Sequence, residues 1–176
     1  MAREAKCISV FGAATCAEDS VDYADARRLG SLLAAAGYVV YNGGYQGVMA
    51  AVSRGVQDAG GRVIGITLQG DPRPPNRWLS AVFPAADLHA RLQGLLATDA
   101  WLALNGSIGT LNEVALGWAV RQKATGPAPP LILIGPRWRR VVATLGDLLA
   151  IAPADLALLT LVDTIEDAVA AVQARI

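Results

Sequence analysis

The stretch LNGSIGTLNE, residues 104–113, places a possible anion-binding turn beside an acid. Gly106, Ser107, Gly109 and Thr110 can present main-chain N–H groups at a helix start, where the aligned peptide dipoles favour negative charge. Three residues beyond Thr110 stands Glu113, one of only four glutamates in the chain. The same letters also spell a capping box, Thr110-x-x-Glu113, in which both side chains satisfy the helix's own end amides. Local spacing admits both readings. In the helix that follows, Leu111, Val114, Ala115 and Trp118 form one apolar stripe at helical spacing. Glu113 shares a second with Leu116, Gly117 and Val120, so its carboxylate is expected to be partly desolvated, with a raised pKa and raised basicity.

Two other stretches carry groups of interest. NGGYQG (42–47) follows a strand-like run and opens a helix, so Gly43, Gly44 and Gly47 suit either a tight turn or a close backbone approach to a ligand. DLHARLQGLL (87–96) buries Leu88, Leu92, Leu95 and Leu96 on one helical stripe and sets Arg91 at its edge. From there the guanidinium can reach the rim of a sheet, or simply form a surface ion pair. His89, the only histidine, is read as incidental. Arg73 and Arg77 lie in the Pro-rich loop GDPRPPNRW (70–78), which suits a mobile lid over a phosphate or a stiff surface excursion. PRWRR (136–140) reads as a solvated helix start.

The elements that must position these groups alternate. Strands are expected at 7–11, 38–42, 62–67, 81–83, 100–104, 130–135 and 158–162. Helices are expected at about 20–36, 48–59, 86–97, 110–123, 138–149 and 164–174. The central strands are continuous apolar runs, as a parallel sheet covered on both faces requires. The fold class is therefore α/β: a single doubly wound, mostly parallel Rossmann-like sheet with helices on both faces, in one domain spanning 1–176. Ligands of such folds sit beyond the carboxyl ends of the strands, which selects the loops 12–19, 42–47, 67–80 and 105–109. None of these is a G-x-x-x-x-G-K-[ST] phosphate loop. FGAATC, with Gly12, also lacks the G-x-G-x-x-G fingerprint of ordinary NAD binding.

Bulk composition narrows the function classes. Fifteen basic and fifteen acidic residues cancel, which argues against a nucleic-acid or membrane-surface partner. Cys7 and Cys16 are too few for a disulfide scaffold and form no C-x-x-C motif. No signal-peptide or transmembrane pattern is visible, so a cytoplasmic location is expected. The 53% apolar content is rich in alanine, and the chain adds 18 glycines, which suits close helix packing and a homodimer built through apolar helices.

Three segments in this order resemble the Lonely Guy (LOG) family, often labelled "possible lysine decarboxylase". GGYQGVM (43–49) is similar to its G-G-x-x-G-x-M stretch, and LHAR (88–91) to its M-H-x-R-K helix through the arginine. NGSIGTLNE (105–113) is similar to its P-G-G-x-G-T-x-x-E hallmark at Gly106, Gly109, Thr110 and Glu113. The resemblance runs over roughly residues 7 to 150. It implies a phosphoribohydrolase that cleaves the N-glycosidic bond of a nucleoside 5′-monophosphate to free base and ribose 5-phosphate, with no cofactor and no metal. It further implies Arg91 and Glu113 as the catalytic pair, phosphate on Gly106, Ser107, Gly109 and Thr110, and Gly12, Gly43, Gly44 and Gly47 lining the nucleotide pocket.

The chain departs from the pattern at three places. Leu92 replaces a lysine, which removes a phosphate-side charge, and Asn105 replaces a proline. Ser107 replaces a glycine, at a cost of order 1 kcal/mol if that position needs positive φ. Related proteins of this fold carry a molybdenum cofactor without turning it over, so a noncatalytic nucleotide or cofactor carrier is the alternative. A structural role with an unoccupied pocket is the third. The decarboxylase label fails on counting: a pyridoxal enzyme needs a Schiff-base lysine, and the only two, Lys6 and Lys123, lie away from the ligand loops.

Overall fold

A computed structural model describes residues 5–176. In chain order the elements are β1 (Cys7–Phe11), α1 (Val21–Ala35), β2 (Val39–Asn42), α2 (Val48–Asp58), β3 (Val63–Leu68), β4 (Ala81–Ala85), α3 (Leu88–Leu96), β5 (Ala100–Ala103), α4 (Ile108–Lys123), β6 (Leu131–Ile134), α5 (Pro136–Leu148), α6 (Pro153–Leu156), β7 (Leu159–Val162) and α7 (Ile165–Gln173). The strands make one sheet in the order β4-β3-β2-β1-β5-β6-β7, and every pairing among the described residues is parallel. The Rossmann-like architecture expected from the apolar runs is present. The short helix α6 had no signal in the hydrophobic periodicity.

Because successive strand residues point to opposite faces, each strand feeds two cores. Ile8, Val10, Val40, Leu102 and Ile132 pack with Leu29 and Leu33 of α1, Val52 and Val56 of α2, and Val172 of α7. Phe11, Ile64, Ile66, Trp101 and Leu133 pack with Leu95 of α3, Val114 of α4 and Trp138 of α5 on the other face. Helices therefore cover both faces, which is why the strands read as unbroken apolar runs. α1 and α2 cross at small residues. A Cβ on Gly55 would stand 1.8 Å from the Arg27 carbonyl oxygen, and one on Gly30 2.2 Å from that of Val52.

Local chemistry sets most of the boundaries. Ser20 caps α1 by accepting from the Tyr23 amide at 3.2 Å, and Asp87 caps α3 by accepting from Ala90 at 2.8 Å. Pro136 opens α5, where its missing N–H costs nothing. The arginines of 136–140 are largely exposed, as expected. Trp138 among them is not: it is buried, and its indole N–H donates to the Leu104 carbonyl at 3.0 Å. The chain passes from β3 to β4 through residues 69–80 without a helix. A parallel connection of that length with no secondary structure is uncommon and often functional.

Sheet order reverses between β1 and β5, the switch point where doubly wound folds bind ligands. Three backbone contacts tie its rim together. Ala13 N–H donates to Asn105 at 3.1 Å, Val48 N–H to Ala13 at 2.9 Å, and Leu104 N–H to Phe11 at 3.0 Å. Among the described residues no helix is long and apolar enough to cross a membrane.

Candidate functional site

Of the two readings of Thr110-x-x-Glu113, the capping box is not formed. α4 starts two residues earlier than expected, with Ser107 at its N-cap and no side-chain cap hydrogen bond. Thr110 thus sits inside the first turn, and its Oγ1 is buried without a partner. Ser107 has an extended backbone, φ −118°, so a serine there costs no left-handed strain. Gly106 is needed for a different reason: a Cβ on it would lie within about 2.1–2.5 Å of three Thr110 side-chain atoms. The result is a helix N-terminus whose end amides meet no side chain of their own.

Freed from capping, Glu113 turns inward. The buried face of α4 is Thr110, Glu113, Val114 and Gly117, whereas Leu111 and Val120, expected on apolar stripes, are exposed and Ile108 is 80% exposed. Glu113 itself is only 7% exposed. Burial pushes its carboxyl up to about 7, with Arg91 pulling the other way more weakly. Arg91 Nη1 lies 3.7 Å from Glu113 Oε1. That distance is an ion pair rather than a good hydrogen bond, so the acid keeps lone pairs free.

Arg91 is fixed from below by carbonyls at the strand ends. Its Nε donates to Ile66 at 2.8 Å and its Nη2 to Gly43 at 3.3 Å. The guanidinium runs directly over Gly43, where a Cβ would meet Nη2 at 2.1 Å and the Met49 sulfur at 2.7 Å. Both obstacles are the ends of flexible side chains. Gly43→Ala is therefore expected to leave the melting curve almost unchanged while displacing Arg91. In the base-release assay described below, kcat/KM should fall about 100-fold. A crystal structure of the variant with Arg91 in place would sink this expectation.

These groups face one cleft of about 280 Å³, lined among others by Gly12, Tyr45, Arg73, Arg91, Ser107, Gly109, Thr110 and Glu113. The structure brings Arg91, Glu113 and the start of α4 together on this cleft. Gly106 borders the adjoining groove toward Trp138. Gly43, Gly44 and Gly47 lie beneath the cleft instead of on its wall. Gly44 and Gly47 have positive φ, +80° and +66°, and a Cβ on Gly47 would sit 2.6 Å from the Ala13 and Ala14 backbone. Leu92 is buried away from the cleft wall, so a lysine at this position would not have added charge there. Asn105 is committed to the rim, donating to Asp22 at 2.8 Å.

Several cleft residues had no sequence signal. Tyr45 is buried and its hydroxyl accepts from the Leu68 amide at 2.9 Å. Asn76 pins the 69–80 connection onto the glycine turn, donating to the Tyr45 carbonyl at 2.9 Å while its own amide donates to Gly44 at 2.8 Å. That loop is anchored at its middle. Asp71 and Arg73 come from it and enter the cleft wall. Arg73 belongs to the loop that suited a lid over a phosphate, whereas Asp71 had no signal beyond its place in that connection.

A larger cleft of about 640 Å³ opens on the far side of Asn105, between the starts of α1, α5 and α7. Most of its charges are paired: Arg137 with Asp22 at 3.2 Å, Arg28 with Glu166 at 2.5 Å, and Asp163 with the neighbouring Arg139 at 2.7 Å. It holds no buried acid, so the smaller cleft is the better candidate. Among the described residues no group of three or more His, Cys, Asp or Glu is placed to hold a metal ion.

Fold and cleft together define a Rossmann-like α/β protein with a buried Glu–Arg pair at an open helix N-terminus. The chain belongs to the SLOG cluster4 family, whose model matches residues 5–126. An uncharacterized protein of Archaeoglobus fulgidus is 33% identical over 134 residues, covering 74% of this chain and 85% of that protein. The cytokinin riboside 5′-monophosphate phosphoribohydrolase LOG5 of Arabidopsis thaliana is 38% identical over 87 residues, 46% of this chain and 38% of its own length. Among solved structures, the molybdenum cofactor carrier protein of Chlamydomonas reinhardtii superposes with a TM-score of 0.74 at 26% identity, covering 97% of this chain and 98% of that one.

Proposed function

We propose that the protein hydrolyses the N-glycosidic bond of a nucleoside 5′-monophosphate, releasing free base and ribose 5-phosphate. The observation that carries this reading is Glu113: a buried carboxylate poised near neutrality, one turn from an uncapped helix N-terminus and beside a carbonyl-anchored arginine. The phosphate takes the α4 amides and the unsatisfied Thr110 hydroxyl. That seats the ribose against Glu113. As the C1′–N bond breaks, positive charge grows on the sugar, and the ionised carboxylate stabilises it. The same carboxylate takes a proton from the attacking water, and the departing base leaves with the C1′–N electron pair and picks up that proton. Arg91 holds Glu113 and the ligand in register. The match to a phosphoribohydrolase over 87 residues supports the chemistry.

The test is release of free base, followed by chromatography, from a panel of purine and pyrimidine nucleoside monophosphates. Turnover of at least one is expected. No release from any, with normal binding, overturns the reading. A noncatalytic carrier of a nucleotide or pterin phosphate is the second reading, supported by the likeness to a molybdenum cofactor carrier over almost the whole chain.

We also propose that two copies pair through α4 and α5, which expose Ile108, Leu111, Val120, Val141 and Leu148. Sedimentation should give twice the monomer mass, and Val120→Glu should return it to one. A monomeric parent protein would rule this out.

A further inference from the structure

The loop of residues 69–80 brings an arginine into the cleft wall and holds it there. Arg73 Nε and its backbone N–H both donate to Asp71 Oδ1 at 2.9 Å, and Nη2 donates to Oδ2 at 2.5 Å. This two-pronged grip takes up both carboxylate oxygens and stops the guanidinium from rotating. It also holds the Asp71 carboxyl well below the usual range. The guanidinium carbon lies 4.5 Å from the centroid of the Tyr45 ring, a distance at which a cation on an aromatic face is attractive. Tyr45 cannot turn, because it is buried and its hydroxyl is tied to the Leu68 amide. The Arg73 side chain is nevertheless 59% exposed. A planar cation is therefore backed by a ring, clamped at its edge and open on the rest of its surface.

A chain of contacts gives its place along the cleft. Arg73 lies over Tyr45. Arg91 is 5.7 Å from the same ring and 3.7 Å from Glu113, and Glu113 is one helical turn from Gly109 and Thr110. Phosphate, sugar carbon and base follow one another in a nucleoside monophosphate. With phosphate on the α4 amides and the glycosidic bond at Glu113, the base comes to the Tyr45–Arg73 end.

We propose that Arg73, supported by Tyr45 and clamped by Asp71, is the stacking surface for the planar base of the nucleotide. This rests on the reading of the cleft as a nucleoside monophosphate site. Guanidinium planes accept bases face-on, and the gain rises with ring area, so a two-ring base profits most. Phosphate recognition is left to the α4 amides, and Arg73 has no part in it.

Calorimetric titration separates these roles, using AMP, CMP and ribose 5-phosphate against the full chain. Glu113→Gln serves as the common background so that turnover does not interfere. AMP is expected to bind more tightly than CMP. Arg73→Ala and Arg73→Lys should each weaken AMP about tenfold while leaving ribose 5-phosphate unchanged, since lysine keeps the charge but loses the plane. Three results overturn the proposal: AMP affinity retained by Arg73→Lys, a parallel loss for ribose 5-phosphate, or no change in either variant. Failure of AMP to bind the parent protein overturns it too. The hydrolase reading fails separately, when the unaltered protein binds AMP with Arg73 dependence but releases no base.

Discussion

Glu113→Gln is expected to lower kcat for base release by about 10³-fold and, at the same time, to make the folded protein more stable above neutral pH. The two effects share one cause. Burial raises the Glu113 carboxyl from 4.5 to about 7, so ionising it inside the protein costs energy that ionising it in the unfolded chain does not. Between these two values the folded state binds more protons than the unfolded state, and stability falls as pH rises through the window. The contribution is intact below about pH 4.5 and fully lost above about pH 7. Its size is of order 3 kcal/mol. An uncharged glutamine escapes this cost. The Tm gain should be of order 10 °C at pH 8 and close to zero at pH 4.5.

Catalysis needs the ionised acid. In the parent protein kcat/KM should therefore rise with pH around a midpoint near 7 and flatten above it, the limb on which stability has already declined. A variant as active as the parent, or one whose Tm gain is the same at both pH values, would refute the assignment of Glu113. Equal and pH-independent stability would mean that the carboxylate is solvated in the free protein.

Gly47→Ala is expected to cost about 3 kcal/mol or more and to reduce base release from whatever folded fraction remains. At φ +66°, ψ −131° the Gly47 backbone occupies a region that side chains rarely tolerate. Its added Cβ would also meet the Ala13 oxygen and the Ala14 carbonyl within 2.7 Å. Backbone cannot swing aside as a side chain does. The α2 start must then part from the 12–14 loop, breaking the Val48-to-Ala13 hydrogen bond that braces Gly12 and Ala14 in the cleft wall. Against a typical total stability of roughly 5–15 kcal/mol, such a loss is easily read by denaturant titration. The contrast with Gly43→Ala is informative, because there the neighbours are flexible ends and the fold should survive. Similar melting of both variants would mean that the glycines of the turn are interchangeable.

By itself the sequence determined the layered architecture. Short unbroken apolar runs such as CISVF and LILI, bounded by turn residues, suit strands buried on both faces, and their alternation with helices leads to a parallel sheet. It also put Arg91 and Glu113 in the first two turns of helices that follow strands, and so toward the carboxyl edge of the sheet, while leaving open whether either faced a ligand. Tertiary structure alone decided what the glycines do. Gly43, Gly44 and Gly47 share one motif, yet one makes way for an arginine and two permit backbone turns, and neighbours distant in sequence set that difference. It also decided the fate of Thr110 and Glu113. A capping box and an anion site use the same letters, and the choice depended on a helix starting two residues early so that one stripe of α4 faced the sheet. Asp71, Arg73 and Tyr45 meet only because an irregular connection folds back over the glycine turn, where no periodicity exists to be read.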